Sequence, residues 1–330
     1  MSHAIKLPTV FKQPIVIGLM ALVLVACSGG GGSAPASNSV DASVGAQTET
    51  ETETETETET ETTTPDSITS LTGNTSPESY SGYSLLWSDE FSGSALDDSK
   101  WGYDIGGDGW GNNELQYHGT ENASVEGGYL IIEAREESFG GRSYTSSRIN
   151  TKDKFSFKYG RVDIRAALPE GKGLWPALWM LGQNFSTVSW PYCGEIDIME
   201  MVGGNGLENR TVGTAHWNNG GVYESNGTTK KPYAPVSYGD NYSLSGTETL
   251  ANAFHIFGLT WTPDSITWYI DGVQYHTMAI DSSASLSAFQ KDFFLIFNVA
   301  VGGDWPGSPD ANTVFPQRML VDYVRVFQQN

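Results

Sequence analysis

From Tyr83 onward the chain is written in short apolar runs, among them "GYLIIEAR", "HIFGLTWTP", "SITWYIDGVQYH" and "DFFLIFNVAV", separated by Gly, Asp, Asn and Pro. Most of these runs alternate and carry β-branched or aromatic residues, as strands do whose side chains point to the two faces in turn. No stretch of about 12 residues keeps a helical period. The combination predicts an all-β fold of many strands, and one β-sandwich can occupy the whole span. "DSITWYIDGVQYHTM" reads as a hairpin turning at Asp271-Gly272, with Trp268 and Ile270 alternating with Tyr269. That hairpin organises the fold and says little about chemistry.

The N-terminal part of the 330 residues has a different character. Lys6 and Lys12 precede "IVIGLMALVLVA" (Ile15 to Ala26), which is shorter than the roughly 20 residues of a membrane-spanning helix and reads as a signal-peptide core. Its end, "LVAC", resembles the lipobox of bacterial lipoproteins, which implies cleavage before Cys27 and acylation of that cysteine. Ser28 rather than Asp at the next position implies the outer membrane or cell surface of a Gram-negative bacterium. An ordinary secretory peptide with a chance cysteine is the alternative. The formal charge is −21, and seven of the glutamates belong to a Thr-Glu repeat from Thr48 to Thr62 that has no large apolar residue and repels itself. With flanking Gly, Ser and Pro it forms a solvated tether from about Ser28 to Tyr80.

The expected organisation is therefore a signal peptide at 1–26, a lipidated cysteine and disordered linker at 27–82, and a folded domain at 83–330. Acidity argues against nucleic acid as a partner, because phosphate contacts need Lys and Arg, and a neutral polymer suits the domain better. The remaining thiol, Cys193, has no partner for an intramolecular disulfide and reads as a small buried residue, with pairing between chains or a nucleophilic role as the alternatives.

The stretch "CGEIDIMEMVG" places Glu195, Asp197 and Glu200 within six residues, with Ile196, Ile198 and Met199 between them. On a regular strand Glu195 and Asp197 share a face and Glu200 does not. A β-bulge at Ile198 or Met199 resets the alternation and brings all three acids into one cleft. Paired carboxylates about 5 Å apart suit double-displacement cleavage of a glycosidic bond, and close acids raise one another's pKa. A metal site and a water-facing acidic edge are the alternatives; Ca2+ loops interleave Gly, Asn and carbonyls rather than Ile and Met, and exposed edges favour Lys. Two further stretches, "GDGWGNNELQYH" and "GKGLWPALWML", load Trp, Asn and Gly into segments that do not read as clean strands, where binding is usually placed.

"GEIDIMEMVG" resembles the active-site signature of glycoside hydrolase family 16, in the bulged form with an added Met found in laminarinase-type endo-β-1,3-glucanases. Other segments fall in the family's order: "LLWSDEF", "KWGYDIGGDGWGNNELQYH", "YTSSRI", "YGRVDIRAALPEGKGLWPALWMLG", "TAHW", "FHIFGLTW", "WYIDG", "NVAVGGDWPG" and "VDYVRV". The resemblance covers Tyr83 to Phe327. It implies a concanavalin A-like β-jelly-roll sandwich whose concave face is crossed by a β-glucan chain, and retention of anomeric configuration. It also implies Glu195 as nucleophile, Glu200 as general acid/base, and Asp197 between them. Trp175 and Trp179 match cleft aromatics that stack on sugar rings, with core packing as the alternative. Asn113, Arg148, Trp190 and His216 match positions near the cleaved linkage, and Trp110 and Trp305 are rim candidates on Gly-rich loops. No cofactor is expected for catalysis. Many members carry a structural Ca2+ away from the cleft, and Glu90, a carbonyl near Gly128 and Asp322 match its ligands; a salt bridge to Lys or Arg is the alternative for each acid. The chain is expected to act as a monomer.

Two positions depart from the family pattern: His118 stands where Tyr is common, and Asp163 where Glu is frequent. Other functions remain open within the fold. Mixed-linkage β-1,3-1,4-glucanases tend to lack the extra Met, and agarases or carrageenases acting on sulfated galactans should want a more basic cleft. A non-catalytic glucan-binding protein would not need the intact acids, and transglycosylation differs only in what intercepts the glycosyl-enzyme.

Overall fold

A computed structural model describes residues 71–220 and 232–330. The expected signal segment Ile15–Ala26, Cys27 and the Thr-Glu repeat lie outside the described residues. Among the described residues there are seventeen strands. The first six are β1 (Tyr83–Asp89), β2 (Gly102–Tyr103), β3 (Gln116–His118), β4 (Ala123–Glu126), β5 (Tyr129–Ala134) and β6 (Tyr144–Ser146). There follow β7 (Arg148–Asn150), β8 (Gly160–Ala167), β9 (Leu174–Gly182), β10 (Glu195–Glu200), β11 (Arg210–Asn218) and β12 (Pro235–Ser243). The last are β13 (His255–Trp261), β14 (Ser265–Ile270), β15 (Val273–Ala279), β16 (Phe293–Val301) and β17 (Gln317–Gln329). Among the described residues, helix is confined to one turn at Phe185–Val188 and a 3-10 turn at Ser287–Gln290, as the missing helical period predicts.

Two antiparallel sheets hold nearly all the strands. The inner sheet runs β12-β11-β10-β9-β16-β7-β2; the outer one runs β15-β14-β13-β8-β17-β5-β4, with β1 also paired to β17. This is the β-jelly-roll sandwich expected from the sequence. The core lies between the sheets, where Ile196, Ile198 and Met199 of β10 meet Phe257 and Leu259 of β13, Trp268 of β14 and Val324 of β17 in one buried cluster. Strand β16 is buried at every position. Its other face packs Phe294 and Ile296 against Leu181, Val188, Tyr192 and Cys193, which explains why "FFLIFNVAV" is apolar without alternation. Cys193 is buried and carries no disulfide, and burial pushes its thiol pKa up to about 12. The Asp271-Gly272 hairpin turn forms as expected, with both residues at positive φ.

Packing begins ahead of the expected boundary at Tyr83. Leu71 packs on Phe254, Ile131, Ala167 and Leu320, and Gly73 pairs with Phe254 so closely that a Cβ there would lie 2.1 Å from the Phe254 carbonyl oxygen. Ser76 and Tyr80 then donate to the outer sheet: the Ser76 amide donates to the Tyr323 hydroxyl (2.7 Å), and the Tyr80 hydroxyl donates to Asp163 (2.5 Å). Residues 71–82 thus form a strap over the outer sheet rather than the end of a linker. The strap explains one departure from the family pattern. Asp163 is fully buried beneath it, paired with Arg161 at 2.9 Å, far from the inner sheet.

The acids matched to a Ca2+ site each face an arginine. Arg325 donates twice to Glu90 (2.8 and 2.7 Å), and Arg165 donates to Asp322 (2.8 Å). These are the salt bridges that the sequence allowed as the alternative. Guanidinium groups sit where a cation would have to bind, so this donor set, as arranged, does not fit Ca2+. The melting temperature of the protein, followed by calorimetry, should accordingly be the same in excess Ca2+ and in excess EDTA. A rise of several degrees on adding Ca2+ would show that the ion displaces the arginines.

Candidate active site

Strand β10 lies in the middle of the inner sheet, and its two ladders slip at the same place. Toward β9 the register passes from Asp197↔Trp179 directly to Met199↔Leu178, skipping Ile198. Toward β11 it passes from Asp197↔Thr214 to Glu200↔Val212, so Ile198 and Met199 together face Gly213. This is the bulge that the five-residue spacing requires. Ile196, Ile198 and Met199 all enter the core, while Glu195 and Glu200 stay partly open and Asp197 is sealed between them. Single donor atoms of Glu195, Asp197 and His216 all fall within 4.8 Å of one another.

His216, opposite Glu195 on β11, sets its Nε2 3.2 Å from Asp197 and 3.8 Å from Glu195. Trp175 on β9 donates its indole N–H to Glu200 at 2.9 Å. Burial, reinforced by the charge of Asp197, pushes Glu195 up to about 8, with His216 pulling the other way. Glu200 is pushed up to about 8 by burial and Asp197, against His216 and the Trp175 hydrogen bond. Burial raises Asp197 well above the ordinary aspartate range. Three carboxylates this close cannot all ionise, so near neutral pH the cluster keeps protons.

The predicted aromatic and polar residues frame the acids on the same face. Trp179, opposite Asp197, donates to the Asn298 side chain on β16 (2.8 Å). Arg148 on β7 is held between rings, its guanidinium carbon 4.7 Å from the Trp179 ring centre and 4.9 Å from that of Trp110, while its Nε donates to Asp104 (2.9 Å). Trp190 lies 6.4 Å from His216 between ring centres and is 38% exposed. At the other side Trp305, 45% exposed, meets Trp175 edge to face at 5.4 Å. Asn113 donates to both oxygens of Asp304 (3.0 and 3.1 Å), which ties the two Gly-rich loops together. Trp110 and Asn113 adopt left-handed φ values of 51° and 55°, a conformation asparagine takes readily and a bulky tryptophan rarely.

Beneath them lies a buried polar network that residue-by-residue reading did not assign. The Val301 amide donates to Gln116 Oε1 (2.8 Å), which fixes the amide so that its nitrogen donates to Glu114 (2.6 Å) and to His118 Nε2 (2.9 Å). His118 Nε2 must then be the unprotonated nitrogen. Burial and nearby Arg148 lower the pKa of His118 to about 3, so it is neutral, with its ring 5.4 Å from Trp110. The second departure from the family pattern is therefore a support behind a cleft aromatic. Asp104, Asn298, Asp304 and this network were missed as partners; a lone Asn within the apolar "FNVAV" was the one signal that could have pointed to its share.

Comparison with known proteins is consistent with this geometry. Residues 111–325 match the profile of glycosyl hydrolases family 16, and residues 16–193 match that of the β-glucan synthesis-associated proteins SKN1/KRE6/Sbg1. The chain is 41% identical over 273 residues to a β-glucanase of Rhodothermus marinus, covering 78% of this chain and 90% of that protein. It is 39% identical to glucan endo-1,3-β-glucosidase A1 of Niallia circulans, over 78% of this chain but 39% of that longer protein. The crystal structure of the laminarinase catalytic domain from Thermotoga maritima superposes with a TM-score of 0.66 at 46% identity, covering 75% of this chain and 99% of that one.

The raised acids make stability depend on pH. An unfolded glutamate releases its proton near pH 4.3, whereas Glu195 keeps its own up to about 8, so over that interval the folded state binds more protons and stability falls as pH rises. A Glu195→Gln variant, which cannot ionise, should melt higher than the unsubstituted protein at about pH 9, by on the order of a few kcal/mol, and lose that margin toward about pH 5. Calorimetry across this range checks it; a margin independent of pH would contradict the raised pKa.

Proposed function

The chain belongs to glycosyl hydrolases family 16 and is a glycoside hydrolase, and on that premise we propose that it hydrolyses internal linkages of β-1,3-glucan with retention of configuration. The observation that carries the reading is the bulge that gathers Glu195, Asp197 and Glu200 on one face, beside aromatics able to stack on sugar rings. The names of the laminarinase and β-glucanase relatives support the substrate class. Once one acid of the cluster has ionised, its charge holds the others protonated, which supplies an anion and an acid side by side over a broad pH range.

In the first step the Glu195 carboxylate attacks the anomeric carbon as the glycosidic C–O bond breaks, and Glu200 gives its proton to the departing oxygen. In the second, Glu200 takes a proton from water, which attacks the same carbon and releases Glu195. His216, near Glu195 and Asp197, and buried Asp197 itself tune the nucleophile, while the Trp175 hydrogen bond orients Glu200. Trp110, Trp179, Trp190 and Trp305 supply ring faces along the chain path, and Arg148 and Asn113 supply donors there. The enzyme is exported and tethered to a bacterial outer membrane through acylated Cys27, as "LVAC" implies.

The reading is tested by incubating the protein with laminarin, mixed-linkage glucan and agarose. Laminarin should be cleaved to shorter oligosaccharides whose new reducing ends are β when first formed, seen by proton NMR, and Glu195→Ser should lower turnover by about three orders of magnitude or more. No cleavage of laminarin, or an α product, would overturn it. For the anchor, mass spectrometry of the mature N-terminus should find an acylated Cys27, and an unmodified start elsewhere would refute the tether.

A further inference from the structure

The bulge needs support from outside its own sheet, because slipping both ladders at one point interrupts the hydrogen bonding that holds a strand in place. Trp268 of β14, in the outer sheet, reaches across the core and donates its indole N–H to the main-chain carbonyl of Asp197 at 2.8 Å. Asp197 is the last residue in register before the slip on both sides. The bond is wholly buried, and Trp268 is among the largest fully buried side chains.

A second observation shows that the passage is kept clear. Gly213 on β11 faces the two bulged residues, and a Cβ added to it would lie 2.5 Å from Trp268 Cδ1 and 2.5 Å from the Tyr275 hydroxyl. Its backbone does not require glycine through a positive φ. The missing side chain serves space, and the space is filled by the indole. A third observation lies at the other end of the same side chain. The β14–β15 ladder passes from Trp268↔His276 to Tyr269↔Gln274, leaving Tyr275 as an extra residue. The outer hairpin thus has its own irregularity beside Trp268, with the His276 ring 4.8 Å from the indole.

We propose that Trp268 is a positioning residue for the catalytic acids: its indole N–H pins the Asp197 carbonyl and with it the bulge that turns Glu195, Asp197 and Glu200 into one cleft. The inference rests on the reading of those acids given above. It assigns chemistry to the hairpin that sequence reading left as scaffold. The pin acts on the backbone between the nucleophile and the acid/base, so its loss shifts one carboxylate relative to the other and leaves the aromatic frame that binds sugar in place.

The test is a comparison of two identical substitutions in the full chain. Trp268→Phe keeps a buried ring and removes the donor. Trp261→Phe does the same to another fully buried tryptophan of the outer sheet, whose indole N–H has no partner among the described residues. Trp268→Phe should lower kcat on laminarin by about 10- to 100-fold with KM within about twofold, while Trp261→Phe leaves both near their starting values. Equal losses in the two variants, or a loss confined to KM, would overturn the proposal. A readout independent of activity comes from NMR of the unsubstituted protein: the Trp268 indole proton should exchange slowly with solvent, and Gly213→Ala, by crowding the indole, should speed that exchange. Fast exchange before substitution would overturn the pin even if laminarin is cleaved, and slow exchange released by Gly213→Ala would uphold it even if laminarin is not the substrate or Trp268→Phe does not fold.

Discussion

A strand has a period of two, and the acids of β10 are spaced by two and then by three. Everything at the cleft depends on how that mismatch is absorbed. Were the ladder regular, Glu200 would enter the core and one of Ile198 and Met199 would face water, exchanging a charge for an apolar side chain on each side of the sheet. The bulge resolves both conflicts at once, since Ile198 and Met199 are buried together and Glu200 returns to the open face. The neighbouring strands are built to the same break: Trp175 meets Glu200, His216 meets Asp197, and Gly213 leaves room opposite the extra residue.

Gathering three carboxylates in a partly buried cleft opposes folding, and the fold compensates around the site rather than within it. No arginine or lysine pairs directly with the acids among the described salt bridges; the nearest ionic partner is His216. Arg148, the cation that could have quenched them, is held between Trp179 and Trp110 and ion-paired with Asp104. Arg148 still pulls Glu195 down, but less than burial raises it, so the raised pKa on which proton transfer relies survives. His118 is kept neutral beneath Trp110, so it adds no second positive charge beside Arg148.

How much of this could be read in advance follows from the range of each interaction. The sandwich was legible because alternation and turn residues are local, and the bulge because parity is a counting argument within six residues. The main site residues were legible through motifs that resemble a known family. Partners were not. Asn113 meets Asp304, and Trp179 meets Asn298, across more than a hundred residues of chain, and no local pattern encodes such pairings. Trp268 was legible as one face of an alternating hairpin, but a buried indole has a polar end, and where that end points is decided by the other sheet. The arginines beside the acids matched to a metal were hidden for a similar reason: Arg325 and Arg165 become their neighbours only through strand pairing. The linker boundary was set too late because Leu71 and Gly73 sit in sequence that is otherwise poor in apolar residues.

The strap of residues 71–82 also has a mechanical meaning. Tension applied to the N-terminal segment would be taken up first by the Gly73–Phe254 pairing, then by the Ser76 and Tyr80 hydrogen bonds, and only afterwards by β1. All of these attachments lie on the outer sheet. The strand carrying the acids belongs to the other sheet and is not in series with that load, so a pull on the leading segment can peel away the strap while the cleft keeps its shape.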